Sequence, residues 1–232
     1  LAVEPGLTRH EKVGFPNAYR EGREEAIFRD ICGKLPLLAA RERTVLEIGP
    51  GCSRLPLMLI ELCARQSHRL LLVDSPEMLA QLPESAHTDK VAGRYPEGAA
   101  GLEQHLGTLD AILAYSVIQY PFAEGNLWAF LDRSLALLAP GGALLLGDIP
   151  NNSMRKRFFA SDAGIRCHQA FTDSDEVPEV HFNRLEPGQI DDSVVIALLS
   201  RARAQGYHAF VMPQATDLSM ANRREDIVIY RP

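Results

Sequence analysis

The sequence predicts an α/β fold, a doubly wound and mostly parallel sheet with a C-terminal antiparallel hairpin and a cap insertion after the fifth strand. Three observations predict it. Short β-rich or apolar runs alternate with stretches of helical period, the signature of a parallel sheet covered on both faces. Several runs are apolar at consecutive positions, as strands buried on both sides are. The length of 232 residues suits one such unit, and 46% apolar with 23% charged residues supplies a core and excludes global disorder.

The elements follow in order. Residues 20–35 place Ile27, Phe28, Ile31 and Leu35 at helical spacing with charges between them, predicting an amphipathic helix ahead of the first strand. Thr44–Ile48 is a β-rich run that stops at Gly49-Pro50-Gly51, and Leu55 to Arg65 is again helical. Arg69–Val73 reads as a buried strand ending at Asp74. Ser75-Pro76 then opens a helix, with Ser at the cap and Pro in the first turn. Lys90–Ala92 and Ala111–Tyr115 are the next strands, and Leu127–Leu138 is a helix that Ala139-Pro140-Gly141-Gly142 terminates. Ala143–Leu146 is a strand ending at Asp148. From Pro150 to Ile190 the periodicity fails, and the stretch is expected to be an irregular insertion over the site. Asp191–Arg203 is a last helix, with Tyr207–Val211 and Ile227–Tyr230 as closing strands.

The net charge of −6 argues against nucleic acid as a partner, because phosphate neutralisation needs clustered Lys and Arg. No apolar run reaches the ~18–20 residues of a membrane span. The four cysteines form no C-x-x-C pair, so neither a disulfide framework nor a metal site is expected, and a reducing, cytoplasmic setting is. Cys52 reads as a small apolar filler and Asp110 as a structural strand-start residue.

Sheets of this class bind ligands at the carboxyl ends of their strands, which points to Glu47, Asp74, Ser116 and Asp148. The Gly49-Pro50-Gly51 turn between strand and helix lets backbone approach a ligand closely. Arg54 stands where a dinucleotide-binding G-x-G-x-x-G needs its last glycine. Asp74, at the next strand's end, can accept two hydrogen bonds from ribose hydroxyls. Glu47 would repel a pyrophosphate and suits a cofactor with a cationic amino-acid tail.

The segments VLEIGPGCSRLP, LLLVDSPEML, LDAILAYSVIQY and LLAPGGALLLGDIP, in that order, resemble the class I S-adenosylmethionine-dependent methyltransferases, which have a Rossmann-like fold. The resemblance covers roughly residues 44–150, and the last two strands resemble that family's closing hairpin. It implies S-adenosylmethionine as cofactor. Glu47, Gly49, Pro50 and Gly51 would face its methionine moiety, and Asp74 its ribose. Ser75 and Met78 would flank the adenine, Arg94 or Tyr95 would lie at the adenine edge, and Tyr115 and Ser116 would line the cofactor. Two positions depart from the family pattern: Ser53 replaces a frequent glycine, and Arg94 lies where an acid is common. It divides residues 1–232, one domain, into a lid segment (1–43), a cofactor-binding core (44–149), a cap (150–190) and a closing part (191–232). Tyr19 and Arg20 are the lid residues expected over the cofactor's carboxylate.

Methyl transfer to a hydroxyl of a small molecule is the expected activity, with a product of S-adenosylhomocysteine. The tail also looks like that of methyltransferases of saccharide or secondary-metabolite biosynthesis. His168 and His181 are candidate general bases, and Asp148 is a candidate base or substrate hydrogen-bonder at the fifth strand's end. The cluster Arg155, Lys156, Arg157, with Arg166, Arg223 and Arg224, suggests an anionic acceptor, such as a phosphorylated or nucleotide-linked sugar or a glycolipid. The rival readings are an NAD(P)-dependent oxidoreductase, against which Arg54 and Glu47 count, and a cofactor-binding protein without turnover.

Overall fold

The computed structural model describes residues 4–12, 14, 21–99 and 101–232. Its strands are Thr44–Ile48 (β1), Arg69–Asp74 (β2), Thr88–Ala92 (β3), Leu109–Tyr115 (β4), Leu138–Pro150 (β5), His208–Pro213 (β6) and Arg224–Tyr230 (β7). They lie in the order β3-β2-β1-β4-β5-β7-β6. β1 to β5 are parallel, β7 runs antiparallel to β5, and β6 is antiparallel to β7 at the edge. The doubly wound sheet with a closing hairpin is as expected.

The helices are Arg9–Lys12 (α1), Glu24–Lys34 (α2), Arg54–Gln66 (α3), Pro76–Leu79 (α4), Gln119–Glu124 (α5), Leu127–Leu137 (α6), Asn152–Phe159 (α7), Asp162–Thr172 (α8) and Asp192–Ala204 (α9). One face of the sheet packs on α2 and α3 through Ile27, Ile31, Leu59 and Cys63. The other packs on α6 and α9 through Phe130, Leu131, Val195 and Leu198. Strand residues divide accordingly, Val45 and Leu113 on the first face, Leu46 and Ile112 on the second. Asp110 is structural: its carboxylate accepts from the Thr44 amide at 2.8 Å and from Arg43 at 3.2 Å, tying β4 to the start of β1.

Two expectations are corrected. The Ala139–Gly142 tetrad does not separate helix from strand; it is the start of β5, which begins at Leu138 and continues to Pro150. Gly142 sits there because a Cβ would stand 2.8 Å from the Leu109 carbonyl oxygen. The 150–190 segment is not irregular throughout, since α7 and α8 occupy its first half. Their pattern is hard to read because the buried positions are not large apolar residues, Asn152 and Lys156 in α7 and Gly164 in α8, and the two helices form a hairpin of backbones. A Cβ on Gly164 of α8 would collide with the Phe158 carbonyl of α7, so only glycine permits that approach. Asn151 and Ser161 cap the two helices by accepting from Ser153 and Met154 amides and from the Gly164 amide.

Among the described residues no helix is long and apolar enough to cross a membrane, and no group of His, Cys, Asp and Glu is arranged to hold a metal.

Candidate functional site

At the carboxyl end of the sheet lie two cavities, and residues of the turn after β4 and the start of α5 line both: Val117, Tyr120 and Pro121 the smaller, and Gln119 the larger.

The smaller cavity, about 380 Å³, lies over β1 and β2. Gly49, Asp74, Ser75, Arg94 and Tyr95, all expected near the cofactor, line it together. Gly49 has φ +67°, and a Cβ on it would lie 2.7 Å from Val117 Cγ2. The close approach there is therefore made by the protein's own side chain. Asp74 is held by backbone alone: its Oδ2 accepts from the Gly51 amide at 2.9 Å and its Oδ1 from the Ser75 amide at 2.7 Å. Each carboxylate oxygen keeps acceptor capacity toward the cavity. Burial raises the Asp74 carboxyl above its ordinary range, and the two amides oppose that shift.

Tyr95 is buried, its Oη 3.0 Å from Ser134 Oγ and its ring edge-on to Phe130 at 5.1 Å. Burial pushes the phenol upward, so it stays neutral. Arg94 donates to the Glu124 carbonyl at 3.1 Å. Met78 is not in the cavity wall; Pro76 occupies that position, and the Met78 amide is spent on the Ser75 cap at 3.3 Å.

Glu47, next to the turn, lines neither cavity. It is 2% exposed, and its Oε2 has no hydrogen-bond partner. Burial, with the Asp74 carboxylate adding to it, raises its pKa to about 8. A buried acid with an unmet oxygen beside a glycine turn suits a cationic group placed against it.

Tyr115, Ser116 and Asp148 form a separate buried cluster at the ends of β4 and β5. Ser116 and Asp148 both have positive φ, +61° and +57°. The Ser116 hydroxyl donates to Asp148 Oδ2, and Arg224 donates to the same oxygen at 2.9 Å and to the Asp148 carbonyl at 2.9 Å. Asp148 Oδ1 accepts from Gln214 at 3.3 Å, and the Asp148 amide donates to Asp226 Oδ1 at 2.8 Å. Asp226, with no exposure at all, meets Lys34 of α2 at 2.6 Å. Burial pushes the Asp226 carboxyl up, against the pull of Lys34. Tyr115 packs against Gly147, where a Cβ would collide with the ring, and borders a small recess with Asp148 and Gln214.

The larger cavity, about 760 Å³, is bounded by α7, α8, residues 188–190 and the turn 220–224. His168 lines it, 6.1 Å from the Phe159 ring centroid. His181 does not: it is exposed and bonded to Glu179 at 2.7 Å. The basic cluster divides. Arg155, Arg223 and Arg224 line the cavity, whereas Arg157 is bound to Asp192 at 2.6 Å and Lys156 to Glu186 at 3.1 Å. Tyr19 and Arg20 lie outside the described residues. The sequence reading missed Val117 and Gln119 of the turn after β4, and Phe159 and Phe171. The first two follow directly on β4, where a strand-end argument could have found them.

No protein-family model matches the chain, and no curated protein matches it in sequence. Solved structures do share its fold. The N-methyltransferase NodS from Bradyrhizobium japonicum WM9, solved with S-adenosylhomocysteine, aligns at a TM-score of 0.60 with 15% identity, over 96% of this chain and 95% of its own. The plantazolicin methyltransferase BpumL, also solved with S-adenosylhomocysteine, aligns at 0.61 with 11% identity, over 93% and 87%. The CurJ carbon methyltransferase aligns at 0.58 with 17% identity over 92% of this chain, which spans only 56% of that protein's length. The chain thus has the Rossmann-like fold of the class I methyltransferases.

Proposed function

We propose that this chain is an S-adenosylmethionine-dependent methyltransferase that holds its cofactor in the smaller cavity and methylates a hydroxyl of a small anionic molecule in the larger one. The carrying observation is Asp74, a carboxylate held by the Gly51 and Ser75 amides in the lining of one cavity, with consecutive residues after β4 lining both that cavity and a second, larger one. The likeness in fold to proteins solved with S-adenosylhomocysteine supports the cofactor.

Asp74 would accept from the ribose hydroxyls, and Pro76, Arg94 and Tyr95 would enclose the base. Glu47 would ionise against the cofactor's ammonium group, which answers its unmet oxygen. The cofactor supplies a methyl carbon already activated by its sulfonium. The chain's own contribution is alignment across the Val117–Gln119 turn, exclusion of water, and acceptance of the hydroxyl proton. His168 takes that last role, because it alone of the three candidate groups lines the larger cavity. Asp148 instead positions Arg224.

Calorimetric titration with S-adenosylhomocysteine, NAD and NADP tests the reading. Micromolar binding of S-adenosylhomocysteine is expected, weakened about tenfold or more in Asp74→Ala by loss of hydrogen bonds to a charged acceptor. Binding of a dinucleotide in its place would establish the oxidoreductase reading instead.

A further inference from the structure

The larger cavity has an unusual distribution of charge. Three arginines line it and, among the described residues, no aspartate or glutamate does, in a chain whose net charge is −6. The acids nearby are committed elsewhere. Asp192 holds Arg157, Glu186 holds Lys156, and Asp148 holds Arg224. Two guanidinium groups form no ion pair among the described residues, Arg155 on α7, whose charge is felt by Glu186, and Arg223 on the turn before β7. They come from distant parts of the chain and converge on one ring: the Arg155 guanidinium carbon is 5.2 Å from the Phe159 centroid and that of Arg223 is 5.8 Å. A guanidinium resting on an aromatic face keeps its N–H edge available for a phosphate or carboxylate.

The remainder of the wall mixes polar side chains, among them Gln119, Asn152, Thr172 and Gln189, with an apolar part. Pro150, Phe159, Ile190 and Met220 make up the apolar part. Phe171 also lines the cavity while remaining 80% exposed, an apolar ring held at the lip. That ring gives an apolar body leaving the cavity a surface to lie against.

We infer that the acceptor is an amphiphilic anion, a phosphate or carboxylate seated on Arg155 and Arg223 and joined to an apolar body that lies along Phe159, Ile190 and Met220 and leaves past Phe171. This deepens the reading of the larger cavity as the acceptor site and rests on it. It adds an apolar body to the anionic acceptor proposed above.

Calorimetry with inorganic phosphate, butyl phosphate, octyl phosphate and octyl glucoside, each below its micellar concentration, tests the inference without any turnover. Each methylene that becomes buried tightens binding by up to about fourfold. Octyl phosphate is therefore expected to bind at least about tenfold tighter than butyl phosphate, and inorganic phosphate to bind weakest. Octyl glucoside, lacking the anion, should bind at least tenfold more weakly than octyl phosphate. The double variant Arg155→Gln/Arg223→Gln should lose octyl phosphate tenfold or more, and Phe171→Ala severalfold, with unchanged melting temperatures. Equal affinity for butyl and octyl phosphate would overturn the apolar half of the inference. Equal affinity for octyl glucoside, or an unaffected double variant, would overturn the anionic half. Octyl phosphate binding in a protein that ignores S-adenosylhomocysteine would refute the methyltransferase reading while leaving this cavity's ligand class standing.

Discussion

The two cavities meet at one turn, yet they are built from different material. The smaller has one side set by backbone at the ends of β1 and β2, with residues 93–97 and 117–130 closing the rest. Asp74 is oriented by two main-chain amides, and Gly49 lies in a conformation that side chains disfavour, under Val117. The larger is assembled from side chains on four separate stretches of chain, around Gln119, Phe159, Ile190 and Arg223. Parts made by strand ends are inherent in the sheet, whereas parts made by side chains on exposed helices can change without disturbing it. The difference teaches that perturbing the first region should cost stability and perturbing the second should cost ligand.

The largest effect is expected at Lys34, whose buried ammonium holds Asp226 beneath the Asp148 cluster at 2.6 Å. Lys34→Met leaves the buried Asp226 without its cationic partner, with only the Asp148 amide and Gln214 donating to it, and should cost about 3–5 kcal/mol in urea denaturation. A loss below about 1 kcal/mol would break the comparison. Next comes Glu47, whose folded pKa is about 8 against an ordinary 4.5. Between those values the folded chain holds a proton that the unfolded chain has released, so stability falls as pH rises and levels off above about 8. Across the whole window the fall should be on the order of 5 kcal/mol at most. Asp74 and Asp226, also raised, act in the same direction. Glu47→Gln should remove most of the slope when denaturation is compared at pH 5.5 and 8.5, and an unchanged slope would locate the proton elsewhere. The smallest stability effect is expected at His168, at the cap. His168→Gln should change unfolding free energy by no more than about 0.5 kcal/mol. With a methylated acceptor in hand it should lower kcat at least about a hundredfold at constant KM. Intact kcat would remove His168 from the chemistry and sharpen the region's role to binding alone.

Legibility in the sequence followed the same division. Strand cores and the turn at Gly49 could be read because buried parallel strands are continuously apolar and because glycine and proline mark where backbone turns. Asp74, Ser75, Arg94 and Tyr95 came with them, since position after a strand decides what lines the cavity at its end. Met78 was misplaced because the Ser75 cap turns its amide inward and leaves Pro76 at the wall. Asp148 and Ser116 looked like ligand contacts, but their carboxylate and hydroxyl close on each other and on Arg224 across strands. The pairing depends on residues 76 positions apart, which no local pattern carries. Helices α7 and α8 were missed because neither presents a continuous apolar stripe. Only their caps, Asn151 and Ser161, announced them.

The position of β7 has a consequence for the order in which the chain can become native. It lies between β5 and β6, so β6 is made earlier during synthesis but has no partner in the sheet until β7 arrives. Lys34 waits as well, because its buried partner is 192 residues later. A nascent chain can therefore assemble β1 to β5 while carrying an open β5 edge, an unpaired β6 and an ammonium group poised at a half-built interior. Insertion of one strand resolves all three together. Such late, long-range closure makes folding slow relative to local helix formation and exposes a sticky edge meanwhile. Synthesis rate and temperature should thus govern the yield of native protein more strongly than the stability of the finished fold does.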